Sequence, residues 1–390
     1  MIRQHLRYSA LLLSVAFFTA CSDASAPKKE VPPTSGTLTF DVATTGTDVD
    51  ADGFLLSIDG GAAQPLAANG SANWSGAAGQ HTIAISGLAF NCDLTSVPAS
   101  ASVTVGQTTH VTVSASCTSY LKNAIIYVSE EFGRGEIMAV RPDGSRRVRL
   151  TSDQLGYGTP VISPDGQSIA VVVAKPTNGS DGIYIMDRFG KSRTKLVGRS
   201  NFDGAPAWSP DGSKLAFRSV TAGPYGDYGR IWVIGRDGSG LRQLTPEVDS
   251  TDYKYDDAPS WSVDGTQVLY SHNGDLWLIN ADGTAPTSLG IAGIYPAWSP
   301  DGSKITFSWY VNGKEAVFVA DRDGTNVRQV TQPIQQDMWA RWSLDGRQLV
   351  FSRVQNNIVH LYRVDADGTN VTTLSGTTSN EDSPSWNPGT

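Results

Sequence analysis

The chain has 390 residues, enough for two or three domains, and a formal net charge of −8. That sign argues against nucleic acid or an anionic lipid surface as partner. Three cysteines without a CxxC pair or a Cys/His cluster give zinc no ligand set.

Arg3 and Arg7 precede the apolar run Ala10–Phe18, which leads into Thr19-Ala20-Cys21. A basic start, a short apolar stretch and small residues describe an export signal over 1–20. The run is too short for a stable membrane-spanning helix. Small residues directly before a Cys resemble a bacterial lipobox, here with Phe18 in place of its usual Leu. The resemblance implies Cys21 as an acylated N-terminus, and Ser22 after it implies the outer membrane. The other reading is an ordinary signal peptide that leaves Cys21 as a free thiol. Losing Arg3 and Arg7, the only charged residues in 1–20, takes the chain to about −10. Residues 21–36, with Lys28, Lys29, Pro32 and Pro33 among small polar residues, read as a flexible tether.

Residues 37–118 read as a small β-sandwich domain. Thr37–Val42, Gly53–Ile58, His81–Ile85 and Ser102–Val113 alternate at period two, with Gly, Asn and Asp between them. The segment resembles the immunoglobulin-like β-domains of bacterial surface proteins, which implies a structural spacer. Cys92 and Cys117, in an exported chain, are expected to form a disulfide. Its loop of about 25 residues is worth roughly 3–4 kcal/mol in the chain-entropy model. Asp48, Asp50, Asp52 and Asp59 around Gly53 have calcium-loop spacing, which makes calcium the one candidate cofactor. The same residues also read as a plain acidic turn entering a strand.

Residues 119–123 are a linker, and 124–390 repeat. Pro206-Ala207-Trp208-Ser209-Pro210-Asp211-Gly212 returns at Pro296–Gly302, and weaker copies follow the same frame. The Trp position recurs at Ile162, Trp208, Trp261, Trp298, Trp342 and Trp386, in steps of 46, 53, 37, 44 and 44 residues. That period with β-type patterning predicts a six-bladed β-propeller of four-stranded blades. In each repeat, strand a carries the Trp and an Asp-Gly turn leads into strand b. A second Asp-Gly turn, at 237–238 for example, separates strand c from strand d. Ala124–Thr151 supplies strands b, c and d alone, and Ser383–Pro388 supplies a lone strand a, so the two ends complete one blade. The predicted fold class is all-β, a propeller after a small sandwich.

Trp-Ser-Pro-Asp-Gly-Ser-Lys with its downstream Asp-Gly and Leu-Thr resembles the WD40-like repeats of TolB-type propellers, over roughly 270 residues. Two departures count against carrying over Tol partners: an all-β first domain where TolB has a mixed α/β one, and the expected lipid anchor.

Alternating strand direction puts the tight Asp-Gly turns on one face and the d–a and b–c loops on the other. The loop face is expected to hold the irregular segments Val220–Gly229 with Tyr225 and Tyr228, Pro246–Asp257 with Tyr253 and Tyr255, Trp309-Tyr310 and Gln332–Trp339. Three residues before the repeat Pro position stand Tyr157, Asp203, Asp256, Gly293, Asp337 and Glu381. Four carboxylates would make an acidic rim for a cation or a basic peptide; alternatively, each caps backbone N–H groups in its own turn. Tyr295 and Trp339 beside them could stack on a peptide or a sugar. The repeated Trp reads as inter-blade core.

No Gly-x-Ser-x-Gly elbow is present, and the four His after residue 20, at 81, 110, 272 and 360, do not cluster in sequence. The first functional expectation is therefore a non-enzymatic, lipid-anchored envelope protein whose propeller binds a protein or peptide. The second is a glycan-binding or glycan-cleaving propeller, favoured by carboxylates converging at the channel mouth.

Overall fold

The computed structural model describes residues 34–49, 52–174, 180–199, 203–223, 226–246, 255–332 and 334–386. The export signal, Cys21, Asp50, Tyr225 and Tyr253 lie outside them. Every regular element among the described residues is a strand, and none is a helix long and apolar enough to cross a membrane.

The first part of the chain builds two four-stranded sheets. One is ordered Gly70–Ala77, Ser35–Gly46, Thr108–Cys117, Cys92–Ser96; the other is Gln64–Leu66, Phe54–Ile58, Gly79–Ser86, Ser100–Val103. The first strand starts at Ser35, inside the expected tether. Its period-two pattern puts Leu38, Phe40 and Val42 inward, against Val111, Val113, Phe54, Leu56 and Ile83 from both sheets. Thr108–Cys117 runs parallel to Ser35–Gly46 and antiparallel to Cys92–Ser96. In that last pairing Cys92 lies opposite Cys117, and the two are disulfide-bonded.

From Ile125 onward six further four-stranded sheets follow, each an antiparallel meander. Five are continuous in sequence. The sixth joins Ile125–Ser129, Glu136–Val140 and Val148–Arg149 to the last strand, Glu381–Trp386, with Trp386 opposite Ile125. This closure gives the first blade its fourth, innermost strand.

The Ser-Pro-Asp-Gly segments are four-residue turns. The Gly212 amide donates to the Ser209 carbonyl at 2.8 Å, and the Asp211 carboxylate takes the Ser209 hydroxyl and the Ser213 amide. Gly212 has φ +67°, a conformation only glycine adopts without a Cβ clash. The turn carboxylates are correspondingly acidic: hydrogen bonds from Ser209, Ser262 and Ser299 lead the causes that pull Asp211, Asp264 and Asp301 down to about 2.

The repeated Trp residues are 6–8% exposed. The indole N–H of Trp208 donates to Val161 O and that of Trp342 to Ala297 O, each in the preceding blade. Trp386 donates to Asn123 at 2.8 Å, sealing the closing blade. These are inter-blade core, as the repeat requires.

Two segments expected to be irregular are strand instead. Residues 220–223 and 226–229 continue their hairpin, with Val220 opposite Gly229 and Thr221 opposite Tyr228. Trp309 and Tyr310 pair with Ala316 and Glu315 in the same way. β-branched and aromatic residues on both arms favour extending the ladder outward.

The two parts of the chain meet on the turn face. Arg141 donates to the Phe90 carbonyl and pairs with Asp93 at 2.8 Å, and Arg146 donates to the Ala89 and Cys92 carbonyls. Arg188 pairs with Asp48 at 2.6 Å. Arg141 and Arg188 belong to c–d turns, so these contacts sit on the face opposite the loops.

Candidate functional site

The innermost strand of each blade carries the site. Near its start, every blade has a bulge, seen as a register break with strand b or its equivalent. One residue at each bulge has positive φ: Thr159 (40°), Ala205 (50°), Ala258 (50°), Tyr295 (56°), Trp339 (57°) and Ser383 (52°). Six non-glycine residues in this region make a ring of local strain, a feature that clusters at functional sites. The ring surrounds a cavity of about 400 Å³ at the loop-face mouth of the central channel. Four of its members are small, and two adjacent ones are aromatic. Tyr295 and Trp339 meet edge to face, ring centroids 5.6 Å apart, and form one wall. Burial, then the charges of Asp257 and Glu315, push the Tyr295 hydroxyl up to about 12.

Arg218 and Asp257 also line the mouth and pair at 3.0 Å. Arg341 lines both this cavity and a second one, about 550 Å³, that opens toward the Trp ring at the turn end. It therefore stands at the waist of the channel. Burial without a compensating charge pushes its guanidinium down to about 10. A side groove of about 430 Å³ between two blades shares Asp257 and Tyr295 with the mouth and runs out past Tyr255 and Asn273.

The acidic rim is corrected. Asp203, Asp256, Asp337 and Glu381 are 0–3% exposed. Arg353 holds Asp337 through two bonds of 2.7 Å, and Arg147 pairs with Glu381 at 2.6 Å. His272 meets Asp256 at 2.6 Å, and Asp203 accepts the Arg199 amide. A carboxylate at the buried start of an inner strand must find a donor or cation, and each of these has one. Of the four, only Asp203 borders the mouth cavity.

The other expected site residues are dispersed. Tyr295 and Trp339 do line the mouth, whereas Tyr228 and Trp309 stand on b–c hairpins outside its lining. Of the calcium set, Asp48 takes Arg188 and the Tyr120 amide, and Asp59 takes His81 and the Thr82 amide. Asp50 lies outside the described residues. Among the described residues no three His, Cys, Asp or Glu side chains gather as a cation site. Asp48 thus serves the contact between the two parts and Asp59 a strand end.

Arg218, Asp257 and Arg341 went unnoticed in the sequence, although a signal was there. Aligned by repeat, the residue before the Trp position is Val161, Ala207, Ser260, Ala297, Arg341 and Ser385, so Arg341 alone breaks a column of small side chains. Arg218 stands in register with Val128, Val172, Ser271, Ser308 and Ser352, and breaks its column likewise.

Six closed blades with these turns define a β-propeller of the TolB type. A family model described as "TolB beta propeller domain" matches residues 102–275 and 254–390, and the chain belongs to that family. It is 30% identical over 207 residues to a TolB homolog of Chlorobium luteolum, covering 50% of this chain and 44% of that one. It is 32% identical over 131 residues to a Tol-Pal system protein TolB of Anaeromyxobacter dehalogenans, covering 33% and 27%. The chain thus spans under half the length of these curated relatives. Among solved structures, TolB from Acinetobacter baumannii superposes with a TM-score of 0.59 at 19% identity, covering 69% of this chain and 67% of that one. A putative TolB from Agrobacterium tumefaciens gives 0.54 at 21% identity, covering 68% and 94%. At these identities the superpositions speak for the fold.

Proposed function

We propose that this protein is an exported envelope lipoprotein whose propeller binds a protein or peptide partner at its loop face. The observation that carries the reading is the mouth of the channel. A cavity of about 400 Å³, continuous with a side groove, has an aromatic wall and strained backbone on an otherwise regular ring. Rigid aromatics at the rim of a preformed cavity are the usual anchors of protein recognition. The names of the relatives, which place them in the Tol-Pal system, support an envelope setting and an envelope partner.

In this reading residues 1–20 are the signal, Cys21 carries the lipid, and 21–36 tether the folded part. Residues 37–118 are an immunoglobulin-like spacer, docked on the turn face so that the loop face points away from the anchor. A glycan site would want two free carboxylates at the mouth. Asp257 is instead tied to Arg218 and Asp203 to the Arg199 amide, which favours a peptide.

The test is capture from envelope extracts by the full-length chain in detergent, beside Tyr295→Ala/Trp339→Ala. A partner held by the wild type and lost by the folded double variant supports the reading; a partner held equally by both sinks this face as its site. Palmitate labelling that survives Cys21→Ala would remove the lipid anchor from the proposal.

A further inference from the structure

Arg341 is an unusual residue for the waist of a channel. Its side chain donates to two carbonyl groups, Ala340 O at 2.8 Å and Tyr295 O at 3.5 Å. Three other arginines that reach into the blades have carboxylates: Arg147 has Glu381, Arg218 has Asp257 and Arg353 has Asp337. Among the described residues none lies within 4.0 Å of Arg341. The two acids bordering the mouth are committed, Asp257 to Arg218 and Asp203 to the Arg199 amide. A guanidinium has five N–H donors in a planar fork that matches a carboxylate, and two carbonyl contacts leave the fork largely unused. A half-buried guanidinium held only by carbonyl groups adds little to the fold, and the other five repeats manage with a small side chain at this position. The depressed guanidinium is consistent with a charge awaiting its counterion.

We infer that Arg341 anchors a carboxylate of the bound peptide, which enters the mouth past Tyr295 and Trp339 and ends at the waist of the channel. The inference rests on the peptide reading of this face. It reverses the expected polarity, from an acidic rim for basic ligands to a cationic socket for an acidic group. The carboxylate comes from a chain terminus or from an Asp or Glu side chain, and the two sources are separable.

The full-length chain in detergent, immobilised, is offered three mass-tagged pools of random hexapeptides at equal concentration. The first pool has free C-terminal carboxylates and no Asp or Glu. The second is the same pool as C-terminal amides. The third is amidated with one Glu per peptide. We expect the wild type to retain the first or third pool about tenfold over the second, the pool retained identifying the source. Arg341→Gln, checked for an unchanged melting profile, should show no preference, and Arg341→Lys should keep part of it. Equal retention of all three pools by the wild type overturns the carboxylate inference and leaves peptide binding standing. Should no pool be retained, phenylglyoxal modification of Arg341, read by mass spectrometry with and without succinate, decides. Protection by succinate beyond that by chloride keeps the carboxylate socket and removes the peptide reading; no protection overturns both.

Discussion

The two ends of the central channel are built from the same six strands and obey different rules. Toward the turn face those strands present Ile162, Trp208, Trp261, Trp298, Trp342 and Trp386, all 8% exposed or less. Three residues earlier, toward the loop face, they present Thr159, Ala205, Ala258, Tyr295, Trp339 and Ser383, all at positive φ. One end keeps the repeat in side chain, the other keeps it only in backbone. A closed ring needs equivalent packing between every pair of blades, so side chains that hold blades together recur. Side chains that serve a ligand have no reason to recur, and on a repeated scaffold they show as breaks in a column.

The largest effect expected from this contrast comes from Trp342→Ala. It deletes a buried inter-blade indole and should cost about 3–5 kcal/mol, read as a lower urea midpoint. Trp339→Gly, three residues away, should move the same midpoint by less than about 1 kcal/mol, because glycine relieves φ +57° while the half-buried ring is lost. Partner capture should behave the opposite way, lost for Trp339→Gly. A stability loss for Trp339→Gly as large as that for Trp342→Ala would erase the distinction between the two ends.

Asp337→Ala comes next. It strands the guanidinium of Arg353 in a buried position and should cost about 3 kcal/mol, mostly recovered in Asp337→Ala/Arg353→Met. An exposed acidic rim would make the single substitution nearly neutral. This separates the buried column of carboxylates from the ligand-facing column beside it.

The difference between the two columns also explains what could be read in advance. Blade number, the Asp-Gly turns, the closure of 381–386 onto 125–129 and the Cys92–Cys117 bond all follow from patterns that repeat or pair. The direction of a side chain at the start of strand a does not. A bulge there turns Tyr295 and Trp339 to the mouth and leaves Asp337, two residues before Trp339, paired within its own blade, as Asp256 is two residues before Ala258. Counting carboxylates by repeat position could not distinguish a rim from buried pairs. Comparing residues down each column could, since the acids that recur are structural and the lone Arg341 is the exception. Asp48 shows a second limit: its partner Arg188 is 140 residues away, and no local spacing announces it.

A smaller effect should appear with pH. Asp382 shares its column with Gly158, Gly204, Asp257, Ile294 and Met338, and burial, then the charge of Glu130, push it up to about 6 from an ordinary 3.8. A carboxyl raised in the folded state adds stability that is fully present below pH 3.8 and lost as pH rises through about 6. Asp382→Asn should therefore flatten the stability curve across that window and raise stability at pH 7–8 by up to about 2 kcal/mol. Asp211, Asp264 and Asp301 act with the opposite sign in a lower window. Their stabilisation holds above pH 3.8 and fades as pH falls toward about 2. An Asp382→Asn curve parallel to the wild type between pH 4 and 6 would show that Asp382 is solvated as an ordinary surface acid.

The smallest effect, and the one that bears most directly on the channel, is Arg341→Met. Methionine fills much of the same volume without a charge, and only the two carbonyl contacts, to Ala340 O at 2.8 Å and Tyr295 O at 3.5 Å, are given up. Stability should rise by about 1 kcal/mol, measured as an upward shift in thermal midpoint. The direction is what matters. A substitution that improves the fold while abolishing carboxylate retention would mark Arg341 as a residue kept against the interest of the structure. A fall in midpoint would instead class the guanidinium with Arg147 and Arg353, as one more strut between strands, and the break in its column would carry no message about a ligand.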